Sequence, residues 1–336
     1  MLSTAHRRRI RWTVSDRGAQ PQQPSQLHVA VLLGGVGHER AVSLISGQAV
    51  IDALREQGHR VTPVVLESSD DAALDAIPAD ADVAFLALHG EYGEDGTIQQ
   101  ALARRGVVYT GSGPEASARA FDKLRAKRHF SRAGIPLAWH RVLEFPFSTR
   151  GVRHAVRMTP GLPVVVKPIS CGSSVGVTIC QTRDQLTRAL EEGARYRQHL
   201  LIEEFIPGRE LTCGVLGGEA LAPVEAVSQR RFFDFKAKYD KETGTTYLVD
   251  PELPAGVRER IQALALAAHQ VLGCSDFSRT DFRYDPIQDR LIVLELNTIP
   301  GLTPTSLLPM AAANAGLNFG ELAERFCRLA LGAFTR

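Results

Sequence analysis

The stretch VVVKPISCGSSVGVTIC, Val164 to Cys180, puts a lysine ahead of a glycine- and serine-rich turn, with strand-forming residues on both sides. A P-loop has the opposite order: glycines first, then lysine, then a helix whose N-terminus meets the phosphates. Here Lys167 precedes the glycines, and Val177, Thr178 and Ile179 behind them read as a strand. Any phosphate held by this turn is therefore met by a loop hung between two strands.

The flanking patterns set that hairpin in a larger α/β and α+β chain. HVAVLLGG (28–35), HRVTPVVL and DVAFLALHG read as strands, and SGQAVIDALREQG carries apolar residues three and four apart, as a helix requires. Strands alternating with helices predict a doubly wound parallel-sheet domain over 28–115. Its ligands gather beyond the strands' carboxyl ends, at Gly34–Glu39 and His89–Gly96. A single helix is expected over SARAFDKLRAKRHFSRAG, ending at Gly134 before Pro136. With PVVVKP, VGVTIC, the helix TRDQLTRALEEGARY and the strand HLLIEEFI it predicts a small α+β domain over 116–207. Residues 208–336 follow: a hairpin from ELTCGVLG and EALAPVEAV, a helix VRERIQALALAAHQVLG, and the strands FSRTDFRYD and RLIVLELN. Between them SQRRFFDFKAKYDKETGTTYLVDP is too long for a tight turn and reads as a functional or disordered loop, with 229–246 expected to act as a mobile lid.

Totals exclude several function classes. A net charge of +2 over 336 residues does not suit a dedicated nucleic-acid binder. Five scattered cysteines without a CxxC pair suggest reduced thiols in a cytoplasmic protein. Residues 1–27, basic and then rich in Gln, Pro and Ser, lack the apolar centre of a signal peptide and read as a disordered tail. No apolar run reaches membrane-spanning length. Only six of the 39 cationic residues are lysines, so each lysine is the unusual choice, a compact charge suited to phosphate.

The last two strands carry the strongest chemistry. Alternation puts Arg279 and Asp281 on one face of their strand, and Glu295 and Asn297 together on the next. A register pairing Asp285 with Leu291 brings Asp281 opposite Glu295, with Leu294 and Leu296 turned to the core. Two carboxylates and an amide oxygen then converge, a donor set suited to Mg2+ shared with substrate phosphates. Farther on, Ser306 fits a helix N-cap with Pro309 in the first turn, so its hydroxyl and the following amides either cap the helix or receive a carboxylate.

The ordered set LLGGVGHERAVS, LHGEYGEDGTIQ, YTGSG, DKLRAK, VVVKPISCGSSVGV, LIEEFIPGRE, FDFKAKY, SRTDF and LELNTIPGLTPTSLLP resembles the D-alanine–D-alanine ligases of the ATP-grasp superfamily, from about residue 28 to the end. The resemblance implies a three-domain ATP-grasp fold in which the glycine loop closes over a triphosphate. It implies ATP contacts from Lys123, Lys167, Ser173, Ser174 and Lys238 at the phosphates, Glu203, Glu204 and Ile206 near adenine, and Glu210 at the ribose. Asp281, Glu295 and Asn297 match the ligands of two Mg2+ ions, for which Mn2+ can substitute. Arg279 and the Gly301 amide match the oxyanion site. Glu39 matches the anchor for the first substrate's ammonium, His89 is a substrate-binding position, and Ser306 and the Leu307 amide match the second substrate's carboxylate site. Ser173 and Tyr239 complete a hydrogen-bonded trio with Glu39, and Tyr239 in place of a histidine favours an amine as second nucleophile. The implied reaction joins two D-alanines through an acyl phosphate for peptidoglycan precursors, in the cytoplasm and from a homodimer. The alternative is an ATP-grasp ligase with another amino or hydroxy acid as second substrate. Two departures stand out: Cys171, an oxidisable thiol beside the glycine loop, and the basic entry SQRRFFDFK.

Overall fold

The computed structural model describes residues 25–172, 175–227 and 245–332. The first apolar run forms β1 (His28–Gly34), buried along its whole length. β2 (Arg60–Leu66) and β3 (Val83–Leu86) lie parallel on either side of it, in the order β2-β1-β3. The crossover helix α1 (Arg40–Glu56) packs on β1 so closely that a side chain at Gly47 would overlap Leu33. The expected parallel unit is thus present, and one boundary needs correction. Leu27, assigned to the tail, is fully buried; its amide donates to His59 Nδ1 at 3.2 Å and its carbonyl accepts from Arg60. The expectation of a disordered 1–24 lies outside the described residues.

The single helix expected before Gly134 is two: α2 (Thr97–Arg104) leads to α3 (Pro114–Phe121), and α4 (Lys123–Arg132) begins only after a break at Asp122. Asp122 leaves helical geometry and its side chain accepts from the amides of Leu124 and Arg125, a start signal hidden inside an apparently continuous helical pattern. The break makes Lys123 the first helical residue, with its amide donating to Ile169 O at 2.9 Å beside the glycine loop.

The second sheet runs β4-β7-β5-β6, with β4 (His140–Leu143), β5 (Val164–Pro168), β6 (Thr178–Cys180) and β7 (Leu200–Glu204). β5 and β6 are antiparallel, so the glycine turn does hang between strands. Helices α5 (Thr149–Arg157) and α6 (Arg183–Gly193) cover this sheet, and a Thr182–Gln185 capping box starts α6. Neither β4 nor α5 was anticipated from the sequence.

The third sheet orders its main strands β11-β10-β8-β12-β13. They are β8 (Arg209–Leu216), with β9 (Glu219–Ala220) paired to its end, then β10 (Val224–Val227), β11 (Thr246–Val249), β12 (Phe277–Asp285) and β13 (Arg290–Asn297). β11 falls inside the stretch read as irregular loop: four alternating residues suffice once β10 offers an edge. The expected lid, 229–246, otherwise lies outside the described residues. Helix α7 (Val257–Leu272) packs on this sheet, and α3 and α4 share its core, where Ala126 and Phe130 meet Ile261, Ala265 and Leu296. Helices α8 (Leu307–Asn314) and α9 (Phe319–Ala330) return to the first sheet, where Phe326 stacks on Phe277 at 3.8 Å.

The β12–β13 register differs from expectation in an instructive way. Asp285 pairs with Arg290, not Leu291, yet Asp281 still faces Glu295, because a bulge intervenes between Phe282 and Asp281. The extra residue is Leu294. It leaves the core, where Leu291, Val293 and Leu296 remain, and lines a cleft beside Glu295.

Under α7, buried His269 meets Ser278 Oγ through Nδ1 at 2.8 Å, and burial pushes its pKa down to about 4. The unfolded chain therefore binds the extra proton, so this site's stability is complete above the ordinary histidine value and fades as pH falls towards 4. From pH 7 to 5.5 the native protein is expected to lose about 1 kcal/mol more than a His269→Gln variant, measured by urea unfolding. Equal losses would show that His269 is already free to protonate in the fold.

Candidate active site

Two clefts meet along β12 and β13. The larger, about 670 Å3, takes in Glu39, His89, Arg279, Gly301, Ser306 and Leu307. Glu39 stands at the start of α1, where the loop after β1 turns towards the cleft. Its carboxylate lies between Gly90 and Gly172: a Cβ at either would collide with Glu39 Oε2. Gly90 also has φ +73, a backbone state that disfavours side chains. His89, buried beside it, is oriented from both ring nitrogens: Nε2 contacts Ser46 Oγ at 3.1 Å and Nδ1 faces Glu94 at 3.5 Å. Ser306, which lines the same cleft, occupies the N-cap position of α8, but its hydroxyl makes no cap bond. It turns back to Thr303, accepting from the amide at 3.1 Å and meeting Thr303 Oγ1 at 2.8 Å. Simple capping is thus not what Ser306 does here. The close approach also depends on Gly301, where a Cβ would sit 3.0 Å from Ser306 Oγ.

The smaller cleft, about 320 Å3, lies between the second and third sheets and is lined by Lys123, Lys167, Glu203, Glu204, Ile206 and Glu210. Glu203 is buried on β7 between two ammonium groups, with Lys167 Nζ at 2.7 Å on one oxygen and Lys127 Nζ on the other. Burial alone would raise its carboxyl, but those two charges and hydrogen bonds outweigh it and bring the value down to about 2. Burial likewise opposes charge on Lys167, yet Glu203 and then Glu295 hold its pKa above the usual lysine value. Cys171 opens on both clefts; its carbonyl accepts from Lys123 Nζ at 2.8 Å and its sulfur from Gln198 Nε2 at 3.4 Å. Burial pushes the Cys171 thiol up, which disfavours the reactive thiolate.

At the junction the bulge delivers Asp281 and Glu295 to both clefts and Asn297 to the larger. Arg279 clasps Asp281 through Nε at 2.7 Å and Nη2 at 2.9 Å, while Asn297 Nδ2 donates to Asp281 Oδ2 at 3.1 Å. Lys123 Nζ lies 3.4 Å from Glu295 Oε2. Each carboxylate thus has a cation beside it. Among the described residues no three His, Cys, Asp or Glu side chains cluster as a metal site; Asp281, Glu295 and Asn297 bring two carboxylates and an amide to the junction.

Every anticipated site residue that is described lines one cleft or the other. Ser173, Ser174, Lys238 and Tyr239 lie outside the described residues. Sequence reasoning missed three side chains. Arg283 braces the segment before β8, donating to Ile206 O and Gly208 O at 3.0 Å each and to Glu210 at 3.2 Å. The alternation Arg279, Asp281, Arg283 on one strand face was the available signal. Arg290 binds Glu204 with two hydrogen bonds, 2.7 and 3.0 Å, across the two sheets, and no local pattern announces that pairing. Lys127 shares a helix face with Lys123, four residues on.

Comparisons with known proteins identify the family. The family model described as D-ala D-ala ligase C-terminus matches residues 130–328, and its N-terminal counterpart matches 68–112. The D-alanine–D-alanine ligase of Gluconobacter oxydans is 46% identical over 309 residues, covering 91% of this chain and 99% of the relative. That of Acidiphilium cryptum is 43% identical over 294 residues, covering 88% and 95%. Among solved structures, the Bacillus anthracis D-alanine–D-alanine ligase complexed with ATP superposes with a TM-score of 0.79 at 31% identity, covering 91% of this chain and 98% of that one. The Coxiella burnetii ligase gives 0.78 at 26% identity, covering 92% and 95%. With a matching family model over more than half its length and relatives this similar from end to end, the chain belongs to the D-alanine–D-alanine ligase family.

Proposed function

We propose that the protein uses ATP to join two D-alanines, phosphorylating the first carboxylate and passing the acyl group to the amine of the second. One observation carries this reading most: Asp281 and Glu295 stand where a cleft with paired lysines opens into a cleft that Glu39 also lines. In its support, Lys123 and Lys167 bring compact charges to the place where a triphosphate would run, and Glu39 offers a carboxylate to an ammonium group. A carboxylate resists attack by an amine because it is negatively charged and oxide is a poor leaving group; its acyl phosphate, a mixed anhydride, has phosphate as a good one. Arg279 and the Gly301 amide would then receive the charge that builds on the carbonyl oxygen, and Ser306 with the Leu307 amide would hold the second carboxylate.

The donor set fits Mg2+. Asp281, Glu295 and the Asn297 amide are oxygen donors on rigid strands, and the cations now at the two carboxylates mark a place where positive charge is favoured. Bound there, Mg2+ would offset charge on the transferring phosphoryl group. We assign two ions to this position, a three-domain division with boundaries near 115 and 207 and with α3 and α4 packed on the third sheet, a homodimeric state, and a cytoplasmic role in peptidoglycan precursor synthesis. Among the described residues, no helix is long and apolar enough to cross a membrane.

The test is ATP-dependent phosphate release with Mg2+ and D-alanine, compared with L-alanine, D-serine and D-lactate, with products weighed by mass spectrometry. Stoichiometric phosphate and D-alanyl-D-alanine from D-alanine alone are expected. Turnover only with a mixed pair would overturn the second-substrate site around Ser306.

A further inference from the structure

Lys127 is an expensive residue to keep. It sits one helical turn beyond Lys123 on α4, 1% exposed, and it lines neither cleft. A buried ion pair seldom adds more stability than an apolar residue of similar volume, so packing does not account for it. Nor does direct contact with a ligand, because Lys123 and Lys167 already reach the smaller cleft. What Lys127 does meet is Glu203, at the oxygen that Lys167 leaves open.

We propose that Lys127 is a positioning residue for base selection, which fixes the Glu203 carboxylate as a hydrogen-bond acceptor facing the base end of the nucleotide cleft. The proposal rests on reading the smaller cleft as the ATP site. With one ammonium on each oxygen, the carboxylate cannot turn about its terminal bond without losing a partner. Glu203 lines the cleft among Val165, Ile179, Phe205 and Ile206, an apolar slot that suits a purine ring. An acceptor there receives the 6-amino group of adenine and repels the 6-oxo group of inosine or guanine. Among the described residues, the charged or titratable groups around it are Lys127 on α4, Lys167 on β5, Glu295 on β13, the adjacent Glu204, and His140 opposite it on β4. Without Lys127, burial is opposed by fewer positive charges, and Glu203 takes up a proton at a higher pH. A protonated carboxyl is a donor, and the preference for adenine then weakens.

The experiment compares ATP with ITP in steady-state ligation, at saturating Mg2+ and D-alanine, from pH 6 to 9. Lys127→Met is expected to raise KM for ATP about tenfold, leave kcat within about threefold, and shrink the ATP-to-ITP ratio of kcat/KM about tenfold. Its KM for ATP should fall as pH rises, a trend absent from the parent, while Lys127→Arg should retain the preference. If Lys127→Met does not fold, Glu203→Gln is compared with the double variant Lys127→Met/Glu203→Gln, in which no carboxylate is stranded. Equal selectivity in these two supports action through Glu203, and a further loss in the double variant overturns it. An unchanged ATP-to-ITP ratio in Lys127→Met, with Glu203→Gln impaired, also overturns the proposal and leaves the ATP site standing. A parent enzyme indifferent to the base would instead overturn the reading of the cleft.

Discussion

Replacing Arg279 with Met slows ligation by about 10²- to 10³-fold while ATP still binds, the loss expected when one donor to a developing oxyanion is removed. The side chain is largely buried and held by two hydrogen bonds to Asp281, so it starts the reaction already oriented. A methionine of similar length keeps the packing on β12 and discards the charge. Its loss also uncovers Asp281, so half-maximal activity should be reached at a lower Mg2+ concentration than in the parent. Initial rates across a Mg2+ titration, with KM for ATP determined alongside, measure both effects. A kcat within a few-fold of the parent would remove Arg279 from the chemistry.

Gly90→Ala is expected to raise KM for the first D-alanine by roughly 30-fold or more, equivalent to losing a charge-assisted hydrogen bond. Two faults coincide at this position. The backbone at φ +73 strains any side chain, by about 1–2 kcal/mol, and the new methyl lands on the Glu39 carboxylate. Gly106→Ala isolates the first fault, since Gly106 has φ +69 but nothing within 4 Å of a new Cβ. Both variants should therefore unfold at lower urea concentration, and only Gly90→Ala should weaken D-alanine. Equal KM values in the two would mean that Glu39 does not anchor that substrate.

Apolar periodicity made the parallel unit and the glycine hairpin readable, because each is built from contiguous residues whose pattern reports their own burial. The motifs made Asp281, Glu295, Lys123 and Lys167 readable in the same way. What was not legible lies in interactions between segments distant along the chain. The break at Asp122 hides in a helical pattern because aspartate is tolerated inside helices, and only a cap bond reveals it. The bulge at Leu294 cannot be inferred from RLIVLELN, where strict alternation is the simpler reading; the register is decided by β12. Glu204 lines the smaller cleft, near which the resemblance implies adenine, yet its tie to Arg290 spans 86 residues. Lys127 carries no signal in the sequence beyond being one of six lysines, and its meaning appears only when β7 brings Glu203 beneath α4.

The bulge has a practical consequence for inhibition. One strand edge, Leu294 to Asn297, borders both chambers, offering an oily surface to one neighbour and charge to the next. On the assignment proposed above, an inhibitor laid along that edge touches side chains whose exchange would cost the cell its own dipeptide. Resistance to such a compound would have to arise by substitution elsewhere on its footprint, or by making more enzyme.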